Sequence, residues 1–185
     1  MLSKRTYLYL IILNYYFQTP LKEKFGLVHI STGDVFRGLD PNSELGKLAK
    51  SFADKGDLVP DDITIAILQS EVRKFPNAKG VIYDGFPRTT AQAEALDTFL
   101  STKNAMVAMM LSLVVEETEL KERLMKRASH SGRPDDADSD IIQNRINNYN
   151  EKTAPVARHY GSQNKLIEVD GEGSIDEITN RLFSA

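Results

Sequence analysis

Apolar residues along this chain recur at helical spacing in several stretches, separated by short unbroken apolar runs. Residues 43–55 place Leu45, Leu48, Ala49 and Phe52 on one face at three- and four-residue intervals, which predicts a helix. Pro60, Asp61 and Asp62 suit a helix N-terminus and open a second helix through Phe75. Gly80-Val81-Ile82-Tyr83 is short and apolar and reads as a buried strand. Helical spacing returns from Thr89 to Leu100. The nearly continuous apolar run Ala105 to Val115 suits a strand of a parallel sheet covered on both faces. Residues 116–127 form a charged helix with Leu120 and Leu124 inward. Residues 129–140, with Gly132 and Pro134 among aspartates and serines, form a loop. A helix from Ile141 to about Tyr160, bent or broken at Pro155, precedes a last strand, Lys165 to Val169. Ser174 and Glu177 then make a capping box for the final helix. Strands alternating with helices imply an α/β fold, a parallel β-sheet flanked by helices, in one domain spanning residues 1–185. Ligands in such sheets bind beyond the carboxyl ends of the strands, which directs attention to the loops after Ile30, Tyr83 and Val169.

Composition narrows the possible partners. The chain has 185 residues, 26 acidic and 23 basic, with a formal net charge of −3. That balance argues against general affinity for nucleic acid or an anionic membrane, so an anionic ligand must be held by local arginine placement. With no cysteine, the chain has neither disulfides nor thiolate metal sites, which suits a reducing, cytoplasmic setting. The N-terminal apolar run from Tyr7 to Phe17, preceded by Lys4 and Arg5, resembles a weak signal peptide. It is too short to cross a membrane, and Gln18-Thr19-Pro20 lacks the small-residue cleavage pattern. The run is therefore read as a buried first strand.

Three segments carry candidate chemistry. Ser31-Thr32-Gly33-Asp34 followed by Arg37 offers hydroxyls, N–H groups at a helix start and a fixed cation, the parts of a phosphate site. On its own the segment also fits an ordinary helix cap. Asp84-Gly85-Phe86-Pro87-Arg88 places a carboxylate where a strand ends, a suitable position for reaching magnesium directly or through water. Pro87 fixes the turn, cis or trans, and Arg88 supplies a planar bidentate donor; taken alone, a simple turn is the better reading. Arg123 and Arg127 share a helix face, Arg133 lies in the following loop, and Arg145 opens the next helix. They form either a solvated face or a set that closes over a polyphosphate.

In combination these segments resemble the adenylate kinase family. The matching phrases are His29-Ile30-Ser31-Thr32-Gly33-Asp34 with Arg37, and Gly56-Asp57-Leu58-Val59-Pro60-Asp61. They continue with Asp84-Gly85-Phe86-Pro87-Arg88-Thr89 with Gln92, then Ser131-Gly132-Arg133-Pro134-Asp135-Asp136, and finally Val169-Asp170-Gly171. The likeness runs in order from residue 22 to 185. It implies reversible transfer between ATP and AMP to give two ADP, with Mg2+ accompanying ATP, in a nucleoside monophosphate kinase fold that is usually monomeric. It further implies that Thr32, Gly33, Arg37, Asp57, Leu58, Val59, Gly85, Arg88 and Gln92 surround AMP. In that scheme Arg37 and Arg88 hold the phosphate and Gln92 the adenine edge. Arg123, Arg127 and Gly173 would meet ATP, and Arg133 and Arg145 would close on the transferring group and on AMP. Asp84 would organise magnesium water. Residues 31–60 correspond to an AMP-binding subdomain and 128–138 to a short lid, which without cysteine implies no structural zinc. Gln92 favours AMP over UMP or CMP.

One departure bears on the chemistry. The family opens with Gly-x-Pro-Gly-x-Gly-Lys-Gly-Thr, and an ungapped alignment back from His29 places Leu8, Ile11, Leu13, Asn14, Tyr15 and Tyr16 at its glycines, lysine and threonine. Such a loop points consecutive N–H groups at phosphates, which glycine permits and tyrosine obstructs. Loss of about four charge-assisted donors at roughly 1.5–3 kcal/mol each amounts to about 6–12 kcal/mol, or about four to nine decades in rate or affinity. If the first 20 residues belong to the protein, phosphoryl transfer is expected to be severely impaired. The abrupt change near residue 20 favours a wrong start, frameshift or recombined end over a genuine variant. The competing reading is a nucleotide-binding module that keeps AMP affinity without turnover; a third is a kinase of this fold acting on another monophosphate.

Overall fold

The computed structural model describes the backbone of residues 5–11, 18–131 and 138–185, and the side chains of 22–126 and 138–185. Five parallel strands form one sheet: β1 (Arg5–Ile11), β2 (Val28–Ser31), β3 (Val81–Asp84), β4 (Ala105–Val114) and β5 (Leu166–Asp170). Their order is β2-β3-β1-β4-β5, so β1 is the middle strand. Its backbone pairs with β3 from Leu8↔Ile82 to Leu10↔Asp84 and with β4 from Arg5↔Ala105 to Ile11↔Ser112. The chain leaves β1 toward β2 on one side and later leaves β3 for β4 on the other. In open α/β sheets a reversal of this kind is where ligands bind, beyond the carboxyl ends of the strands.

Side-chain alternation along the strands divides the core between the two faces. Tyr83 and Met110 pack with Leu96, Leu100, Val156 and Tyr160 on one face. Their neighbours Ile82 and Leu111 pack with Val169, Ile178 and Leu182 on the other. The centre of β4 is covered on both faces as expected, although Met106 and Val114 near its two ends are exposed.

Helices α1 (Gln18–Phe25), α2 (Thr32–Arg37), α3 (Glu44–Ala53), α4 (Asp61–Arg73) and α5 (Thr90–Ser101) precede β4. Helices α6 (Glu117–Ser131), α7 (Ser139–Asn148), α8 (Ala154–Gly161) and α9 (Ile175–Ser184) follow it. Ser43 caps α3 by accepting from Gly46 N, and the Ser174–Glu177 capping box is present in both directions.

Three expectations need correction. Helix α6 continues to Ser131, past the expected end at Arg127, because Ala128, Ser129 and His130 contain no breaker before Gly132. Arg145 lies in the last turn of α7 and does not open it; the helix already starts at Ser139, where the Asp138 carboxylate accepts from the N–H groups of Asp140 and Ile141. The break expected at Pro155 is a π-helical turn, Tyr149–Thr153, placed just ahead of it. Proline lacks the N–H that would continue the α7 ladder, and it occupies the first turn of α8 instead.

Candidate active site

Strand β2 delivers Ser31 and α2 beside the end of β3, in register with Asp84. Ser31 caps α2 by accepting from Asp34 N, and Thr32, buried in the first turn, donates to the carbonyls of Asp84 and Gly85 at 3.3 and 3.1 Å. The ends of the two strands are thereby tied together. Gly85 has φ +69°, and a Cβ there would lie 2.9 Å from Arg88 Nη2 and 3.0 Å from Thr32 Oγ1. Absence of a side chain at Gly85 is thus what lets the Arg88 guanidinium lie against the backbone, where its Nε donates to the Gly85 carbonyl at 2.8 Å. Arg37 folds over Gly33 in the same way, its guanidinium nitrogens 3.0 Å from where a Cβ would stand. It also pairs with Asp34 at 2.5 Å, and both side chains are about half exposed. An exposed pair of this kind contributes little stability, so Arg37 can exchange Asp34 for another anion at small cost.

Arg88 is held through its backbone as well. The Phe86–Pro87 bond is cis. The Arg88 N–H donates to Gln92 Oε1 at 2.7 Å, and buried Thr153 on the π turn donates to the Arg88 carbonyl at 3.0 Å. Gln92 is 2% exposed; its Nε2 donates to Asp61 Oδ1 at 2.7 Å, and Thr89 Oγ1 donates to Asp61 Oδ2 at 2.8 Å. Both polar atoms of Gln92 thus bond within the protein.

Leu58 and Val59 are half-buried in the segment joining α3 to α4. Asp57 beside them turns to α7, where Asn144 Nδ2 donates to its carboxylate at 2.9 Å and to the Lys55 carbonyl at 2.8 Å. Asn148 donates to the Gly56 carbonyl at 3.2 Å and more weakly to Asp57. The Asn144 hydrogen bond holds the Asp57 carboxyl below its ordinary pKa, with desolvation opposing and Asn148 adding to the effect. Arg145 packs on this turn, its Cγ 3.1 Å from where a Cβ on Gly56 would stand.

Across β1, Arg123 on α6 donates to Glu119 at 2.7 Å and to the Gly171 carbonyl, after β5, at 2.7 Å. Gly173 has φ +106° in the same loop. Asp84 lies 3.5 Å from His29 Nε2. Among the described residues no group of three His, Cys, Asp or Glu could hold a metal by itself.

The sequence-predicted residues therefore fall into two groups on either side of β1. Thr32, Gly33, Arg37, Gly85, Arg88 and Gln92 gather at the ends of β2 and β3, with Arg145 on the Asp57–Val59 turn. Arg123 and Gly173 belong to the β4–β5 side. Arg127 is placed by its backbone alone, one turn beyond Arg123 on α6. Arg133 and residues 132–137 of the expected lid lie outside the described residues, as do Leu13, Asn14, Tyr15 and Tyr16. Leu8 and Ile11, aligned with loop glycines, lie in strand β1. The sequence places Asp61 and Thr89 within motif phrases, Asp61 also as a helix-start acid, but assigns neither a role, and it gives no signal for Thr153, Asn144 or Asn148. Thr153 and the two asparagines act through partners about 65–92 residues away, for which no local pattern exists.

A parallel sheet that reverses its winding at β1, with arginines set at the strand ends on both sides, fits the α/β nucleoside monophosphate kinase class. The adenylate kinase family model matches residues 18–165, and the chain belongs to that family. It is 53% identical to an adenylate kinase of Flavobacterium psychrophilum over 163 residues, covering 88% of this chain and 86% of the relative. Adenylate kinases of Parabacteroides distasonis and Caulobacter vibrioides are 44% and 42% identical, over 88% and 86% of this chain and 86% and 84% of the relatives. Among the described residues no helix is long and apolar enough to cross a membrane.

Proposed function

We propose that the protein is a nucleoside monophosphate kinase that interconverts ATP and AMP with two ADP, acting as a monomer in the cytoplasm. Family membership supports the phosphotransferase class. The observation that carries the acceptor side is the cluster of Thr32, Gly85 and Arg88, with Arg37 nearby, at the joined ends of β2 and β3. Arg37 and Arg88 hold the AMP phosphate; Gly33, Asp57, Leu58 and Val59 line its site, and Gln92 meets its base. Arg123, Arg127 and Gly173 serve ATP, and Arg133 and Arg145 approach the transferring group. Residues 31–60 serve as the AMP-binding subdomain and 128–138 correspond to a short lid. These groups act by positioning and by stabilising charge that develops on the phosphoryl group, with no covalent intermediate on the protein. Mg2+ bound with ATP would supply charge to offset the phosphates. The donor set fits that delivery, since Asp84 offers one carboxylate at a strand end, suited to holding a metal-bound water while phosphates supply the other ligands.

The second reading is a module that binds AMP without turnover. Its motive is specific: the chain has no Gly-rich, Lys-containing loop, and Leu8 and Ile11 continue a strand where that loop would begin. Membership of the family, and identity of up to 53% to the relatives named above, do not favour it. A coupled assay for ADP formation beside AMP titration calorimetry separates the two. Turnover with AMP binding supports the kinase, binding without turnover supports the module, and preference for UMP over AMP refutes the assigned specificity.

A further inference from the structure

Gln92, Asp61 and Thr89 form a closed ring of hydrogen bonds between α4 and α5. Gln92 Nε2 donates to Asp61 Oδ1, Thr89 Oγ1 donates to Asp61 Oδ2, and the Gln92 backbone N–H donates to Thr89 Oγ1 at 3.1 Å. A carboxylate only accepts, and the Arg88 N–H that meets Gln92 Oε1 only donates. Between them they decide which end of the Gln92 amide is nitrogen and which is oxygen. Turning the amide over would set oxygen against a carboxylate and nitrogen against an N–H, both at 2.7 Å, on a side chain only 2% exposed. Two such mismatches in a water-poor place are costly. An amide has two N–H groups and two carbonyl lone pairs; the ring and Arg88 use one of each. One donor and one acceptor remain, in a fixed order.

We propose that Asp61 is a specificity-determining positioning residue, setting the order of donor and acceptor that Gln92 offers to the nucleobase. Matched to the AMP base proposed above, with its amino group at C6 and bare N1, this order opposes a 6-oxo group with an N1–H. The inference rests on Gln92 meeting the base of the acceptor nucleotide, as proposed above.

AMP and IMP exchange the donor and acceptor on that edge while sharing ring shape, ribose and phosphate, so they are the probes. Each is titrated calorimetrically into the full chain and into Asp61→Asn, a measurement that does not depend on turnover. The wild type is expected to prefer AMP. The Arg88 N–H still favours the native order in Asp61→Asn, whose side chain can donate or accept, so the variant is expected to narrow the AMP-to-IMP affinity ratio by about threefold, a response that mere loosening of the site would not give. Should Asn disturb folding, Asp61→Ser supplies the same comparison. An unchanged ratio in the variants, or no discrimination by the wild type, overturns the role of Asp61 alone. A wild type that binds neither nucleotide overturns the acceptor-site reading, and this proposal with it.

Discussion

Replacing Thr153 with valine tests whether the π turn positions the phosphate-binding arginine. The two side chains have nearly the same shape, so the change removes little except the hydroxyl that donates to the Arg88 carbonyl at 3.0 Å. Thr153 is 5% exposed, so water does not readily take over the lost contact. A net hydrogen bond of this kind contributes about 0.5–1.5 kcal/mol. For a chain of this size that corresponds to a melting temperature lower by about 1–6 °C. The Arg88 backbone would then be fixed mainly from the Gln92 side, at the other end of the residue. If the clamp sets the guanidinium for phosphate, AMP affinity should fall by up to about tenfold, since 1.4 kcal/mol is one decade, while ATP affinity stays level. Scanning calorimetry and separate AMP and ATP titrations read the two effects, and Thr153→Ser, which keeps the hydroxyl, should restore both. A lower melting temperature with unaltered AMP affinity would show that the bond braces the fold and leaves the arginine unmoved. Equal loss of ATP affinity would point to general loosening.

Three further outcomes are expected. Gly85→Ala adds a Cβ at φ +69° within 3.0 Å of both Arg88 and Thr32, so urea unfolding should show a loss of about 1–2 kcal/mol and calorimetry weaker AMP binding. Asn144→Ala removes the main cause of the depressed Asp57 pKa; a depressed carboxyl stabilises the fold above its unfolded pKa and loses that contribution as pH falls through its folded pKa. The stability gap between wild type and Asn144→Ala should therefore be full at neutral pH and shrink in acid, below the ordinary aspartate range, in urea titrations across pH. Leu100, fully buried against the main core face, should cost about 2–5 kcal/mol on truncation to alanine, with nucleotide selectivity retained in whatever fraction stays folded.

Local chemistry explains which parts of this molecule were legible in the sequence. The capping box at Ser174, the apolar strands β3 and β4, and the alternation of strand and helix follow from patterns within a dozen residues, and each is present. Boundaries were less legible where no breaker stands, as at the end of α6. Part of the arginine roster, Arg37, Arg88 and Arg133, was readable because motif phrases contain it. Its supports were not, because Thr153 reaches Arg88 across 65 positions and Asn148 reaches Gly56 across 92. Only folding places those pairs together. Gln92 illustrates the difference within one side chain: its type and position were evident, but its engagement by Asp61 and Arg88 depends on how α4, α5 and the β3 turn meet.

The middle strand has a consequence for how this architecture tolerates change. Residues 5–11 precede the family match, which starts at residue 18, yet they occupy the central slot between β3 and β4. That slot is filled through main-chain ladders, which any extended segment of suitable apolar character can supply. Scaffold and reactivity are therefore specified by different atoms here: the backbone recruits the strand, whereas only particular side chains and glycines can cradle a triphosphate. Side chains along β1 can thus change while the main-chain ladder that holds the sheet together persists.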